Sequence, residues 1–148
     1  MAIHVAFKHG WRDRAENKLA RGLAQWSPRM LSIFRAVVAL LFLEHGTAKL
    51  FAFPADAAFD KLQLFSLIGF AGVLEVGGGV LVLLGLFTRP AAFILSGEMA
   101  VAYFTAHAPR DFFPLLNHGE AAVFYCFAFL YLAVAGGGAW SLDQRRGA

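Results

Sequence analysis

The sequence has little charge and almost no cysteine. Only 16% of its 148 residues are charged and 59% are hydrophobic, whereas a typical soluble domain is about 25% charged and about 45–50% apolar. The single cysteine, Cys126, excludes a disulfide within the chain and a CxxC dithiol centre. The composition therefore predicts a protein with a lipid bilayer as its solvent. Any redox work would require a bound cofactor or a partner protein.

Proline is absent from the interior of the long apolar runs, which suits membrane helices. A helix needs about 20 residues to cross the hydrocarbon core, and four runs approach or exceed that length: 30–53, 64–87, 91–107 and 118–135. Four prolines fall in or beside the connections between these runs, where a missing backbone donor does little harm: Pro54, Pro90, Pro109 and Pro114. We predict an all-α fold, an integral membrane four-helix bundle.

Positive charge is distributed unevenly about the four runs. One side of the predicted bundle carries nine basic residues: Lys8, Arg12, Arg14, Lys18, Arg21, Arg29, Arg89, Arg145 and Arg146. The other side carries Lys61 and Arg110. The positive-inside rule then predicts that both termini are cytoplasmic. Because the rest of the chain offers no basic face, we expect the lipid bilayer rather than nucleic acid as its partner.

The basic N-terminal segment has an apolar pattern of its own. Five residues recur at three- and four-residue spacing: Trp11, Ala15, Leu19, Gly22 and Trp26. This pattern predicts an amphipathic helix in the membrane interface, and a basic tail without fixed structure is the alternative. The predicted organisation is a basic amphipathic segment over 1–29, a membrane domain over 30–143 and a cytoplasmic tail over 144–148.

Ionisable residues interrupt the apolar runs. A charge at the centre of a span costs about 2.5–3.5 kcal/mol on insertion scales, so such residues usually face the bundle interior and find partners. The residues inside the runs are Arg35, Glu44, His45, Lys49, Glu75 and Glu98. A further three lie at the ends of the third and fourth runs: His107, His118 and Glu120.

The first run places three of these groups on one stripe of its helix. Arg35, His45 and Lys49 follow helical spacing, whereas Glu44 lies about 100° around the helix from His45. Gly46 would let a neighbouring helix approach at this stripe. We predict that His45 and Lys49 face Glu75, and that Glu44 reaches water or one of the histidines at the outer surface.

Two interpretations of the polar residues remain open. In the first, ion pairs only fix the register of the helices. In the second, the residues bind a polar headgroup, carry protons or support a redox cofactor. Catalytic candidates are His45, Lys49 and Glu75, and binding candidates add Arg35, Glu98 and Glu120. His45, His107 and His118 could converge as metal or haem ligands, although no HxxxH or ExxH spacing supports this.

The order of several short motifs resembles the DoxX family of bacterial inner-membrane proteins. The first run contains R-x9-H-G-x2-K-L, from Arg35 to Leu50, and the second contains E-x2-G-G-x5-G-x2-T-R, from Glu75 to Arg89. The chain end resembles the family's G-E start, at Gly119, and its G-x-G-x-x-S-x-D finish, at Asp143. The resemblance covers about residues 28–143, and Glu44 has no counterpart in the pattern.

The resemblance implies a four-helix protein of the bacterial inner membrane that is associated with redox systems. Some members resemble the quinone-reactive subunit of thiosulfate oxidation, and others are associated with oxidoreductase complexes. The leading hypothesis is a membrane subunit of a redox system that interacts with a quinone. The alternative is a non-catalytic scaffold or assembly protein with a membrane or cytoplasmic protein partner. The sequence leaves open the substrate, a homo-oligomeric state and whether the chain is itself an enzyme.

Overall fold

The fold is all-α, as predicted. In a computed structural model, residues 3–55 and 65–147 are described, with side chains from residue 18 onward. The helices are α1 (Ile3–Phe51), α2 (Leu67–Leu84), α3 (Thr88–Ala102), α4 (Pro114–Asn117), α5 (Glu120–Ala135) and α6 (Leu142–Arg146), and a π-helical turn, Tyr103–His107, continues α3. No strand occurs among the described residues.

The four predicted runs correspond to α1, α2, α3 with its π-helical turn, and α5. Apart from the start of α1, which lies at Ile3 rather than at residue 30, the ends agree within about three residues where both are described. Residue 64 and Lys61 lie outside the described part of the chain. Lys18–Phe51 of α1 and the whole of α2 are long and apolar enough to cross a membrane, and α5 is apolar but shorter. The number of crossings therefore stays a prediction.

The outside of the bundle is largely apolar. Phe70 of α2, Phe93 of α3 and Phe127 of α5 are all exposed. Extended apolar surface of this kind marks a membrane or protein contact, because water-soluble monomers rarely expose large apolar patches. The surface thus agrees with a bilayer as the surrounding solvent.

Helix α1 runs without a break through the predicted junction between the N-terminal segment and the membrane domain. Pro28 lies inside it. The Pro28 carbonyl accepts bonds from the Ser32 hydroxyl and the Ala139 amide, each at 3.0 Å. The N-terminal segment is helical, as predicted, but forms one helix with the first run. The side chains of Trp11 and Ala15 lie outside the described residues, so an interfacial position stays a prediction.

The bundle core lies where α1, α3 and α5 meet. Helix α1 packs mainly on α2, α3 packs on α5 and on α2, and α1 touches α5 over a shorter stretch. The fully buried ring of Phe42 lies 4.7 Å from Phe129 and 5.1 Å from Tyr125, between ring centroids. These aromatic contacts fix the depth of α1 relative to α5, and with it the depth of the polar residues on α1.

Candidate functional site

A buried ion pair joins α1 to α2. The Lys49 Nζ donates to Glu75 Oε1, while the Glu75 side chain is only 1% exposed. The prediction that Lys49 faces Glu75 is confirmed. A pair buried in this way loses hydration on both sides, so the attraction between the two charges has to offset the cost of removing them from water.

Glu98 brings a second carboxyl group to this pair from α3. It lies close enough to Glu75 and Lys49 to interact with both electrostatically. Both Glu98 oxygens, together with Glu75 Oε2, are buried and have no hydrogen-bond partner among the described residues. We call Lys49, Glu75 and Glu98 the carboxylate cluster, which contains one ammonium group and two carboxyl groups from three helices.

Close contact between α1 and α2 sets the geometry of the carboxylate cluster. A Cβ atom built on Gly46 would lie 2.8 Å from Val76 Cγ2 and 2.9 Å from both Glu75 Cβ and the Val76 backbone nitrogen. Real Cβ atoms do not approach other atoms so closely. Only glycine therefore allows the helices to approach closely enough for Lys49 to reach Glu75 in this arrangement, as the sequence predicted for Gly46.

His45 and Glu44 lie beside the carboxylate cluster rather than within it. Both residues are exposed on the surface of the described structure. The His45 ring packs edge-to-face against Tyr125 of α5, with centroids 5.6 Å apart, although it still lies within electrostatic range of Glu75. The prediction that His45 faces Glu75 thus holds less closely than it does for Lys49, because the His45 ring packs on Tyr125 of α5.

Arg35 is not part of the carboxylate cluster. It lies about 21 Å along α1 from Lys49 and is 3% exposed. Its guanidinium donates to the carbonyls of Val82 (2.6 Å), Leu83, Gly137 (2.8 Å) and Trp140 (3.3 Å). The predicted ligand-binding candidate therefore joins the end of α2 to the loop after α5. We call this part of the bundle the Arg35 end.

Asp143 holds the Arg35 end together from the other side. Its carboxylate accepts bonds from the Phe87 and Thr88 amides, both at 2.8 Å, at the start of α3. Partial burial raises the pKa of Asp143, but these bonds and nearby Arg146 outweigh it, so the pKa lies below its ordinary value of 3.8. Sequence analysis assigned Asp143 no role beyond its place in the family motif. The sequence feature that could have drawn attention to this segment is Ser141, whose hydroxyl accepts a hydrogen bond from the Gln144 amide and caps the start of α6.

The remaining polar candidates lie at the opposite end of the bundle. His107 Nδ1 lies 3.1 Å from the Asn117 carbonyl oxygen, whereas His118 and Glu120 are exposed. Among the described residues, no group of three or more His, Cys, Asp or Glu side chains could hold a metal ion. The three candidate histidines therefore do not form a metal site here.

The arrangement of motifs identifies a family. The family model of DoxX matches residues 30–108, which contain Arg35, Gly46 and the whole carboxylate cluster. The chain belongs to the DoxX family. In this DoxX protein the R-x9-H-G-x2-K-L motif thus supplies both the Arg35 anchor and the lysine of the ion pair.

Similar proteins include named membrane proteins. The chain is 45% identical over 132 residues to an uncharacterized protein of Haemophilus influenzae, covering 83% of this chain and 95% of that protein. It is 32% identical to the inner membrane protein YphA of Escherichia coli, over 80% of this chain and 91% of YphA. It is 30% identical to the uncharacterized membrane protein Rv3486 of Mycobacterium tuberculosis, over 82% and 83%. No solved structure matches the chain significantly. This DoxX protein is therefore a membrane protein.

Proposed function

We propose that this DoxX protein is a membrane subunit of a redox system and that its carboxylate cluster binds a quinone headgroup. The observation that carries the proposal is a set of three buried oxygens, Glu75 Oε2 and both oxygens of Glu98, for which the described part of the chain offers no hydrogen-bond partner. Buried polar atoms nearly always have a hydrogen-bond partner, and ionisable groups inside membranes are typical of ligand and proton pathways. A bound polar headgroup would complete these bonds.

Lys49 is the group best placed to contact a quinone oxygen, because it is held at the cluster by Glu75. His45 is the second donor, at the exposed edge of the cluster. Two carboxyl groups share one ammonium group, and a proton on one carboxyl group would balance the charge of the cluster within the membrane. Glu75 or Glu98 could then exchange a proton with the headgroup. A quinone supplies two-electron chemistry coupled to protons when it is bound.

The electrons would pass to or from a partner protein. Cys126 is the sole cysteine of the chain and has no second thiol with which to cycle. We further propose that the protein lies in the bacterial inner membrane with both termini cytoplasmic, in accordance with the nine basic residues on that side. The N-terminal part of α1 would then be available to a cytoplasmic partner.

The test measures quinone retained by the purified protein. The full chain is purified in mild detergent, and organic extracts are analysed by mass spectrometry for quinone per protein. Wild type should retain quinone, whereas Glu75→Gln and Glu98→Gln should lose most of it while remaining folded. Glu44→Gln is the matched control, because Glu44 is exposed outside the cluster. Absence of quinone from the wild type, even after addition of excess quinone, or equal retention by all variants, would refute the proposal.

A second candidate function is a scaffold in which the same residues only hold α1 against α2. The close contact at Gly46 and the ion pair beside it favour this function. A scaffold should tolerate the joint change Lys49→Met with Glu75→Met, provided that the protein remains folded, and should still recover the same partner proteins. Loss of quinone in that folded variant, without loss of partners, would assign the cluster to ligand binding instead.

A further inference from the structure

A pocket of about 850 Å³ opens at the Arg35 end, outside the carboxylate cluster. Helix α1 forms one wall with Ser27, Pro28 and Leu31. The start of α3 and the loop after α5 form the others, and the polar side chains contributed by the rest of the chain are Thr88, Arg89, Ser141, Asp143 and Gln144. The quinone proposal uses none of these residues.

Arg89 is the cation of this pocket, and only part of its guanidinium is occupied. Its Nη1 donates to the carbonyls of Ala133 (3.3 Å) and Val134 at the end of α5, which fixes the plane of the group. Its Nε and Nη2 have no acceptor among the described residues and lie beside Gly136. A Cβ atom built there would be 3.4 Å from Nη2 and 3.5 Å from Nε. These are ordinary contact distances, and because Gly136 has no side chain, only backbone lies beside the donor edge of Arg89.

The pocket lies at the depth expected for lipid headgroups. Trp26 of α1 and Trp140, before α6, are 57% and 58% exposed at the same end of the bundle. Tryptophan is enriched at the boundary between hydrocarbon and water. Helices α2 and α5 end at this level and α3 begins there, at Leu84, Ala135 and Thr88 respectively. The pocket thus combines apolar walls with a polar floor where a phospholipid phosphate would lie.

Charge around the pocket favours an anion. Exposed Arg29, Arg145 and Arg146 lie at the same end, and Arg29 packs over the Trp26 ring, with its Cζ 5.1 Å from the ring centroid. Asp143 is the carboxylate of the lining, but its two oxygens already accept the Phe87 and Thr88 amides. The net charge facing an incoming ligand is therefore positive.

We propose that this pocket binds the phosphate of an anionic phospholipid, with Arg89 Nε and Nη2 as paired donors. Arginine binds phosphate through two parallel hydrogen bonds, and its planar group is already oriented here by the end of α5. Pro28, Leu31 and Phe87 would contact the glycerol and the upper acyl chain. A phospholipid fits this site better than a soluble phosphate compound, because the pocket lies beside interfacial tryptophans.

The experiment compares lipid binding by variants of the full chain. Protein in neutral detergent is titrated with phosphatidylglycerol or phosphatidylcholine, and bound lipid is counted by native mass spectrometry. Wild type should bind one phosphatidylglycerol selectively. Arg89→Gln can still donate to the Val134 carbonyl but should bind about tenfold more weakly, as expected for loss of a charged bidentate contact. Arg110→Gln removes an exposed arginine at the opposite end and should change binding less than twofold.

A second variant tests the pocket without altering charge. Ser27→Trp would fill the cavity from the α1 wall and should weaken phosphatidylglycerol binding even if Arg89→Gln failed to fold. Equal losses in Arg89→Gln and Arg110→Gln, or unchanged binding in Ser27→Trp, would overturn the proposal. Displacement of the lipid by millimolar inorganic phosphate would assign the site to a free anion and would also overturn the lipid assignment.

Discussion

Gly46→Ala should destabilise the protein, although alanine is the better helix former. The added Cβ would lie 2.9 Å from the Val76 backbone nitrogen and from Glu75 Cβ. Neither atom can move away by rotating a side chain, because both are fixed to the backbone of α2. Helices α1 and α2 must therefore separate, and the Lys49–Glu75 pair that bridges them must lengthen.

The expected change in the free energy of unfolding of Gly46→Ala is the difference between two opposing effects. Carbon atoms pack best at about 3.5–4.0 Å, so the helices must separate by roughly 0.5 Å or more, and overpacking of this kind costs about 1–3 kcal/mol. Replacing glycine by alanine within a helix by itself stabilises the helix by roughly 0.5–1 kcal/mol. Gly77→Ala in α2 is the matched control, since nothing lies within 4 Å of its Cβ position, so it should gain stability or leave it unchanged. The two variants should differ by about 1–3 kcal/mol.

The measurement is reversible unfolding in mixed micelles of mild detergent and dodecyl sulfate, followed by tryptophan fluorescence. Gly46→Ala should unfold at a lower dodecyl sulfate fraction than wild type, and Gly77→Ala at the same fraction or a higher one. Equal stability of the two alanine variants would show that the close approach of α1 to α2 at Gly46 is not a determinant of the fold.

Three further predictions concern the polar contacts. Arg35→Met should lower the free energy of unfolding by about 3–5 kcal/mol, because buried carbonyls lose a charged donor. Arg35→Lys should recover part of this loss in the same dodecyl sulfate titration. A loss below about 1 kcal/mol in Arg35→Met would contradict the anchoring role of Arg35. Lys49→Met should lower the free energy of unfolding by about 3–5 kcal/mol, because it leaves Glu75 buried without its counter-ion. The double variant Lys49→Met with Glu75→Met should be nearer to wild type in stability. Strictly additive losses in this double-mutant cycle would argue against the ion pair. The contribution of Asp143 to stability should be complete above its ordinary pKa of 3.8 and be lost as the pH falls through the lower pKa of the folded state. Between pH 7 and pH 3, the melting temperature should therefore fall less in Asp143→Asn than in wild type. Parallel melting profiles of the two proteins would refute the assignment.

Much of the helical arrangement could be predicted from local composition. Pro54 and the glycines at 136–138 lie within about three residues of the ends of α1 and α5, because proline lacks a backbone donor and glycine readily leaves the helical conformation. Pro28 shows the limit of the same rule. It lies inside the continuous helix α1, where its carbonyl accepts bonds from the Ser32 hydroxyl and the Ala139 amide.

The candidate site was only partly predictable. We predicted that Glu75 pairs with Lys49 from helical spacing and from the need of a buried carboxylate for a hydrogen-bond donor. Helical spacing also placed Arg35 on the same stripe, but spacing along one helix says nothing about which helix ends lie opposite it. The carbonyls that bind Arg35 belong to Val82 and Leu83 of α2 and to Gly137 and Trp140 after α5, so that role required the packed structure.

The sequence by itself determined that this DoxX protein is a helical membrane protein with ionisable groups inside its bundle. Apolar run length and charge distribution are properties of neighbouring residues, and the bilayer acts on them directly. Only the tertiary structure decided how each polar group is used. Arg35 and Asp143 join helix ends, Lys49 pairs with Glu75, and the buried Glu98 oxygens have no hydrogen-bond partner within the described structure. Those roles depend on distances between residues far apart in the chain, which the packing of α1, α2, α3 and α5 sets.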